Sequence, residues 1–235
     1  MTEEEKHELF EEINELTDIC NEYCPLTQSS SLVVEAVKPA VTEMIKFIVK
    51  DKNEIEKLLQ FLETSDYYTA PASTKFHGDF KGGLACHTFM VIRQSLIFAQ
   101  PMLSNFFTSP EAENYTVTAK DIFLCALCHD FCKTNFYEIE YRNAKDLNGN
   151  WIKKPFYKTK SESRNLGHGN ESVLIMLKIM PSLIDNRPVL EAVSRHMGFS
   201  DLSESESYNY SVILQNPLVL LLQTADQTAA QWFNF

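Results

Sequence analysis

The chain has 235 residues, 44% of them hydrophobic and 23% charged, with 7 glycines and 9 prolines; this fits one main globular core and excludes a low-complexity or collagenous polymer. A net charge of -11 makes it a poor partner for long duplex nucleic acid, whose binders gain affinity from many Lys and Arg contacts to phosphates, but permits a small anionic ligand held through metal ions. Apolar runs such as Leu218 to Leu222 are far too short to cross a bilayer, and the start "MTEEEKHELF" lacks the basic and apolar parts of a signal peptide. The expected compartment is therefore the cytoplasm, with no membrane partner, and the six cysteines (20, 24, 86, 125, 128 and 132) are expected as reduced thiols.

Residues 1 to 66 hold 16 acids and 6 bases, so most of the net charge sits there. Leu9, Ile13, Leu16 and Ile19 or Cys20 recur at three- and four-residue spacing, predicting an amphipathic helix over 3 to 23 with an acidic outer face. "CPLTQSSS" interrupts it, and further helices are expected at about 32 to 50, bent by Pro39, and at about 53 to 64, with Ile55, Leu58, Leu59 and Leu62 on one face. Pro and Gly breaks ending in Gly82-Gly83 make the stretch from Thr64 to Gly83 a loop. That loop delivers the chain into the helix "LACHTFMVIRQSLIFAQ", which contains His87.

A helix of about 119 to 133 follows. At about 100° per residue, His129, Asp130 and Lys133 share one arc of it, and Cys125, Cys128 and Cys132 cluster on the adjacent arc. The polar arc is expected to point into a bundle centre and the thiol arc to pack, since free cysteine behaves as a small hydrophobe. The alternative, a zinc site made of these thiols, is the minor reading. Residues 136 to 160 then alternate bulky and polar side chains around Asn148-Gly149, predicting an inserted β-hairpin with a two-residue turn. From Arg142 to Arg164 the stretch carries seven bases and two acids, so it is either a phosphate-binding lid or a solvated basic ribbon. Helices resume at about 170 to 180, at 188 to 197 with Pro188 first and Gly198 as terminator, and at 217 to 233 capped by Asn216.

Of the six histidines, His87, His129, His168 and His196 lie on or beside separate apolar helices, and Asp226 lies inside "NPLVLLLQTADQTAAQWF". Isolated imidazoles and carboxylates are costly to bury unless paired or bound to a metal, so something should hold them together. His7, in the acidic helix, reads as a surface residue.

In "GGLACHT", "LCHDFCK" and "TADQ" the chain resembles the HD-domain metal-dependent phosphohydrolases, whose ligands come in the order His, His-Asp, Asp. His87, His129, Asp130 and Asp226 stand at those positions, and His168 in "LGHGNES" and His196 in "SRHMGF" match the two further histidines of members with two metals. The resemblance covers roughly residues 75 to 235. It implies an all-α HD-type bundle (76 to 235, hairpin at about 136 to 160) braced by an N-terminal helical extension (1 to 75), which would pack on the core or make a homodimer. It also implies two divalent ions, among Mn, Fe, Co, Ni, Zn or Mg, with Asp130 bridging them. Such a pair, ~3.5 to 4 Å apart, lowers the pKa of a shared water toward ~7 and clamps a phosphoryl centre.

Catalytic roles then fall to Asp130 and Lys133, with the Lys133 ammonium aimed at developing phosphate charge. Lys75 and His77 in "STKFHGDFKGG" are candidates for contact with the substrate phosphate; a solvated loop is the other reading. The expected substrate is a nucleotide or related small phosphorylated molecule. Departures from the pattern count against two members of the family. The chain has no "GYP" tripeptide of cyclic-dinucleotide hydrolysis, and its first 75 residues look helical, unlike the barrel attached to the 3′-to-5′ exoribonucleases. The six-ligand arrangement also resembles the di-iron oxygenases of the same fold, and a catalytically silent nucleotide-binding protein is the reading outside enzymes.

Overall fold

The computed structural model describes residues 1–160 and 166–235. Its elements run α1 (Glu3–Tyr23), α2 (Val34–Ile48), α3 (Lys52–Thr64), α4 (Gly83–Phe106), α5 (Ala119–Cys128), β1 (Tyr137–Lys145), β2 (Trp151–Thr159), α6 (His168–Ile179), α7 (Arg187–Arg195), two single-turn helices α8 (Glu204–Ser207) and α9 (Tyr210–Ile213), and α10 (Pro217–Trp232). The fold is all-α apart from one two-stranded antiparallel hairpin among the described residues. No helix among them is long and apolar enough to cross a membrane.

α4 is the axis of the molecule, with Leu84 through Ile92 buried without interruption. α10, α5, α1 and α2 pack around it, and α7 closes the bundle against α10, α6 and α5. Each fully buried Leu, Ile or Phe contributes roughly 1.5–3 kcal/mol, and one continuous core joins the N-terminal helices to the rest. The ends of the helices are set by local chemistry. Thr2 and Thr118 make reciprocal capping boxes with Glu5 and Asp121, Asp51 caps α3, and the Asn216 side chain accepts from the Leu218 N–H at the start of α10. All six cysteines are buried.

Pro39 lies inside α2 as expected. α4, however, runs on through Pro101 to Phe106, beyond the expected stop at Gln100. Pro101 is exposed, so its missing N–H faces water, while Leu96, Ala99 and Leu103 continue the buried stripe past it.

The hairpin differs from expectation in its turn. Lys145 pairs with Trp151, and the Asp146 N–H donates to the Asn150 carbonyl at 2.9 Å, which leaves three residues between this pair rather than two. Gly149 takes φ 84°, and the Asp146 carboxylate accepts from the N–H groups of Asn148 and Asn150. This is the turn-plus-left-handed-residue loop in which glycine carries the positive φ. Residues 161 to 165, the end of the basic stretch including Arg164, lie outside the described residues.

The helix expected over 119 to 133 also divides. α5 ends at Cys128, His129 caps it, and Phe131 to Lys133 form a 3-10 turn. Asp130, at φ -108° and ψ 18°, occupies the sparsely populated bridge region between them.

Candidate metal centre

Five places in the fold deliver the polar cluster: the start of α4 (His87), the junction after α5 (His129, Asp130), the first residue of α6 (His168), the end of α7 (His196) and the middle of α10 (Asp226). Close backbone approach makes this possible at one point in particular. A Cβ on Gly169 would lie 2.1 Å from the Ser194 carbonyl oxygen, so α6 and α7 can touch there only through glycine. The contact sets the His168 and His196 rings 5.2 Å apart. Gln223, one turn before Asp226, donates to the Arg195 carbonyl at 2.7 Å and so fixes the register of α10 against the end of α7.

Three of the imidazoles are oriented alike. The Nδ1–H groups of His87, His129 and His196 donate to the main-chain oxygens of Phe235 (2.8 Å), Ala126 (2.7 Å) and Val193 (2.7 Å). A carbonyl oxygen can only accept, so these contacts fix the proton on Nδ1 and leave the Nε2 lone pairs for the cluster, the arrangement metal-binding histidines adopt. His87 Nε2 and His129 Nε2 then face each other at 3.2 Å. Two lone pairs at that separation repel unless a positive charge lies between them.

Both carboxylates adjoin the pair. Asp226 Oδ1 is 3.1 Å from His87 Nε2, and Asp130 Oδ2 is 3.5 and 3.3 Å from the two Nε2 atoms. The second oxygen of Asp130 turns to the other histidines, at 2.6 Å from His168 Nε2 and 3.8 Å from His196 Nε2. Asp130 therefore stands between two groups of imidazoles, one facing each oxygen. Among the described residues, His196 Nε2 is buried without a hydrogen-bond partner. A polar atom buried in that way costs free energy unless a ligand engages it.

Electrostatics support the same arrangement. Burial alone would push the Asp130 carboxyl up, but the Lys133 ammonium 2.7 Å away, with His129 and His168, holds it well below the usual carboxylate range. Asp226 is likewise driven down against its burial by His87, His129 and His196. Burial opposes the charge on Lys133 too, yet Asp130, Tyr137 and Asp226 keep its ammonium protonated to a higher pH than usual. His129 is pushed down, first by burial.

His129, Asp130 and His196 are almost sealed, whereas the side chains of Lys133 (14%), Asp226 (17%) and His168 (26%) reach solvent and mark the opening. A surface recess of about 610 Å³, lined by Tyr115, Arg187, Glu191 and Arg195 among others, contains none of the cluster.

His77 joins the cluster. Its ring lies 4.9 Å from that of His87, and burial, with His87 and Lys133 nearby, lowers its pKa to about 4. Lys75 does not; it is exposed over the Phe76 ring, and no hydrogen bond or ion pair among the described residues ties it to the cluster. His7 pairs with Glu11 on the surface.

The thiol arc splits where the helix tightens. Cys125 and Cys128 pack in the core, but the 3-10 turn swings Cys132 toward α6, where its Sγ sits 3.3 Å from His168 Nδ1. Cys132 thus lies within ligand range of Asp130 and His168, just as Asp226 does of His87 and His129. Sequence reasoning also missed the Phe235 oxygen behind His87 and Tyr137 beside Lys133. Tyr137 follows the cluster by only a few residues and was legible as a neighbour; a main-chain oxygen leaves no mark in a sequence.

The residues present suit divalent cations: oriented imidazoles, ionised carboxylates and a ring nitrogen unpartnered among the described residues make up two adjoining groups of possible ligands. No protein-family profile, curated protein or solved structure matches this chain.

Proposed function

We propose that this chain is an HD-type metal-dependent phosphohydrolase that cleaves a phosphate ester bond in a nucleotide or related small phosphorylated molecule. The observation that carries the reading is the pair of Nε2 atoms of His87 and His129, 3.2 Å apart with their Nδ1 protons committed elsewhere, flanked by Asp130 and Asp226. His87, His129, Asp226 and Asp130 Oδ2 would hold one cation; Asp130 Oδ1, His168 and His196 would hold the other. When bound, such a pair supplies a water acidified toward pKa ~7 and positive charge for the attacking and leaving oxygens.

The protein's own groups do the remainder. Lys133 lies at the opening with its ammonium kept charged, 2.7 Å from Asp130. From there it can bind a phosphoryl oxygen and stabilise the charge that grows on it, a contribution typically near 10²–10³-fold. His77, neutral at pH 7 and half-buried beside His87, can orient the substrate by hydrogen bonding without adding charge. The sealed floor of His129, Asp130 and His196 excludes bulk water from the far side of the reacting group.

A panel of nucleotides, cyclic nucleotides and short oligonucleotides, assayed with Mn, Co, Ni and Mg, tests the proposal. Wild type is expected to release phosphate or nucleoside while His129→Ala and Asp130→Ala do not. Equal rates in all three reject it, and oxygen consumption on an organic substrate by an iron-loaded sample would move the assignment to the oxygenase class.

A further inference from the structure

We infer that Cys132 supplies a thiolate ligand to the half of the centre formed by Asp130 Oδ1, His168 and His196, which makes the two cation positions chemically unequal. The inference rests on the metal-centre reading above and adds a soft donor to one side of it.

Several independent observations place the sulfur there. Ligand atoms of Asp130, Cys132 and His168 all lie within 4.8 Å of one another. Cys132 is 4% exposed, and its N–H donates to the Oγ of the fully buried Ser172 at 3.1 Å, which fixes the 3-10 turn against α6. The Sγ is 3.3 Å from His168 Nδ1 and 3.5 Å from Nε2. That near-equality puts the sulfur off the lone-pair direction of either nitrogen. It does not orient the His168 ring as the carbonyls of Ala126, Val193 and Phe235 orient theirs. On the same side, His196 Nε2 is buried without a hydrogen-bond partner among the described residues, 3.8 Å from Asp130 Oδ1. A cation in this half would meet sulfur, imidazole and carboxylate, whereas His87, His129 and Asp226 offer only nitrogen and oxygen.

Donor softness then sorts the metals. Thiolate with imidazole favours Zn, Fe or Co over Mg and Mn, and an all nitrogen and oxygen position discriminates less. On binding, the S–H bond breaks, its proton passes to solvent, and the sulfur electron pair forms the bond to the cation. The other thiols near α5 do not compete. Burial pushes the Cys125 and Cys128 thiols well up, away from the thiolate form.

Titration of the full-length protein with cobalt(II), followed by absorption, tests this. Wild type is expected to show the intense near-ultraviolet thiolate-to-cobalt charge-transfer band together with weaker visible bands. Cys132→Ser is expected to keep the visible bands, lose the near-ultraviolet band and bind one of its cobalt ions more weakly than wild type. Visible bands without the charge-transfer band in wild type, or a band that persists in Cys132→Ser, would overturn the cysteine assignment alone. A wild type that takes up no cobalt would overturn the metal centre with it. The wild-type spectrum decides the question even if the variant folds poorly.

Discussion

The buried cluster and the hairpin are both rich in polar side chains but are held in opposite ways. In the cluster, residues as far apart as His87 and Phe235 are joined by hydrogen bonds, and His129 is fully buried. In the hairpin, the strands pair with each other, Trp151 is 70% exposed, and the turn is tied by the side chain of its own Asp146. The first depends on the whole bundle to hold a costly concentration of charge; the second meets the bundle at its base, where the Tyr137 hydroxyl donates to the Ala72 carbonyl at 3.3 Å, and its tip depends on local sequence. Changes in the cluster should therefore alter chemistry and global stability together, and changes at the hairpin tip should alter neither.

Lys133→Ala is the largest expected effect short of losing a ligand. The variant should keep its bound metal and lose about 10²–10³-fold in kcat. Unchanged kcat with raised KM would restrict Lys133 to ground-state binding. Next comes Gly169→Val. Its Cβ must displace the Ser194 carbonyl, so we expect about 2 kcal/mol or more of destabilisation in urea and a weakened metal position at His168 and His196. A wild-type midpoint would show that α6 and α7 do not need that contact.

His77 supplies a smaller, pH-dependent effect. Its pKa falls from the usual 6.5 to about 4 in the folded protein. The unfolded chain thus takes up a proton at a higher pH than the folded one, and the stability that neutral His77 contributes is complete above 6.5. That contribution is lost as pH falls from 6.5 toward 4. Denaturant midpoints across this window should fall less steeply for His77→Gln than for wild type, and identical slopes would contradict the placement of His77. Gly149→Ala should do least. The methyl meets nothing within 4 Å but must take φ 84°, a cost near 1 kcal/mol confined to the turn. Amide exchange should quicken in the hairpin only, and loss of bound metal would show that the ribbon supports the centre after all.

Much of this arrangement was legible in the sequence because periodicity and caps are local. α1 follows the spacing of Leu9, Ile13 and Leu16, and Asn216 and Pro217 mark the start of α10. The grouping of four histidines and two aspartates was legible from cost, since none of them is tolerable alone on an apolar helix. What escaped depends on tertiary contacts. The tightening at His129–Lys133 sends Cys132 toward His168, which a uniform helical wheel cannot represent. Likewise, nothing in the sequence shows that the Ser194 carbonyl presses on Gly169 and brings His168 beside His196. The turn of the hairpin was misjudged for a different reason. Asn148-Gly149 suits two turn classes, and Asp146 selects between them through its side chain.

The most direct test is the metal content of purified protein dialysed against manganese or cobalt and then separated from free ion. Convergence of the six side chains on two adjoining positions predicts close to two ions per chain for wild type, at most one for Asp130→Ala, and a clear loss for His129→Ala. A wild type that retains no divalent ion, or variants that retain as much as wild type, would contradict it.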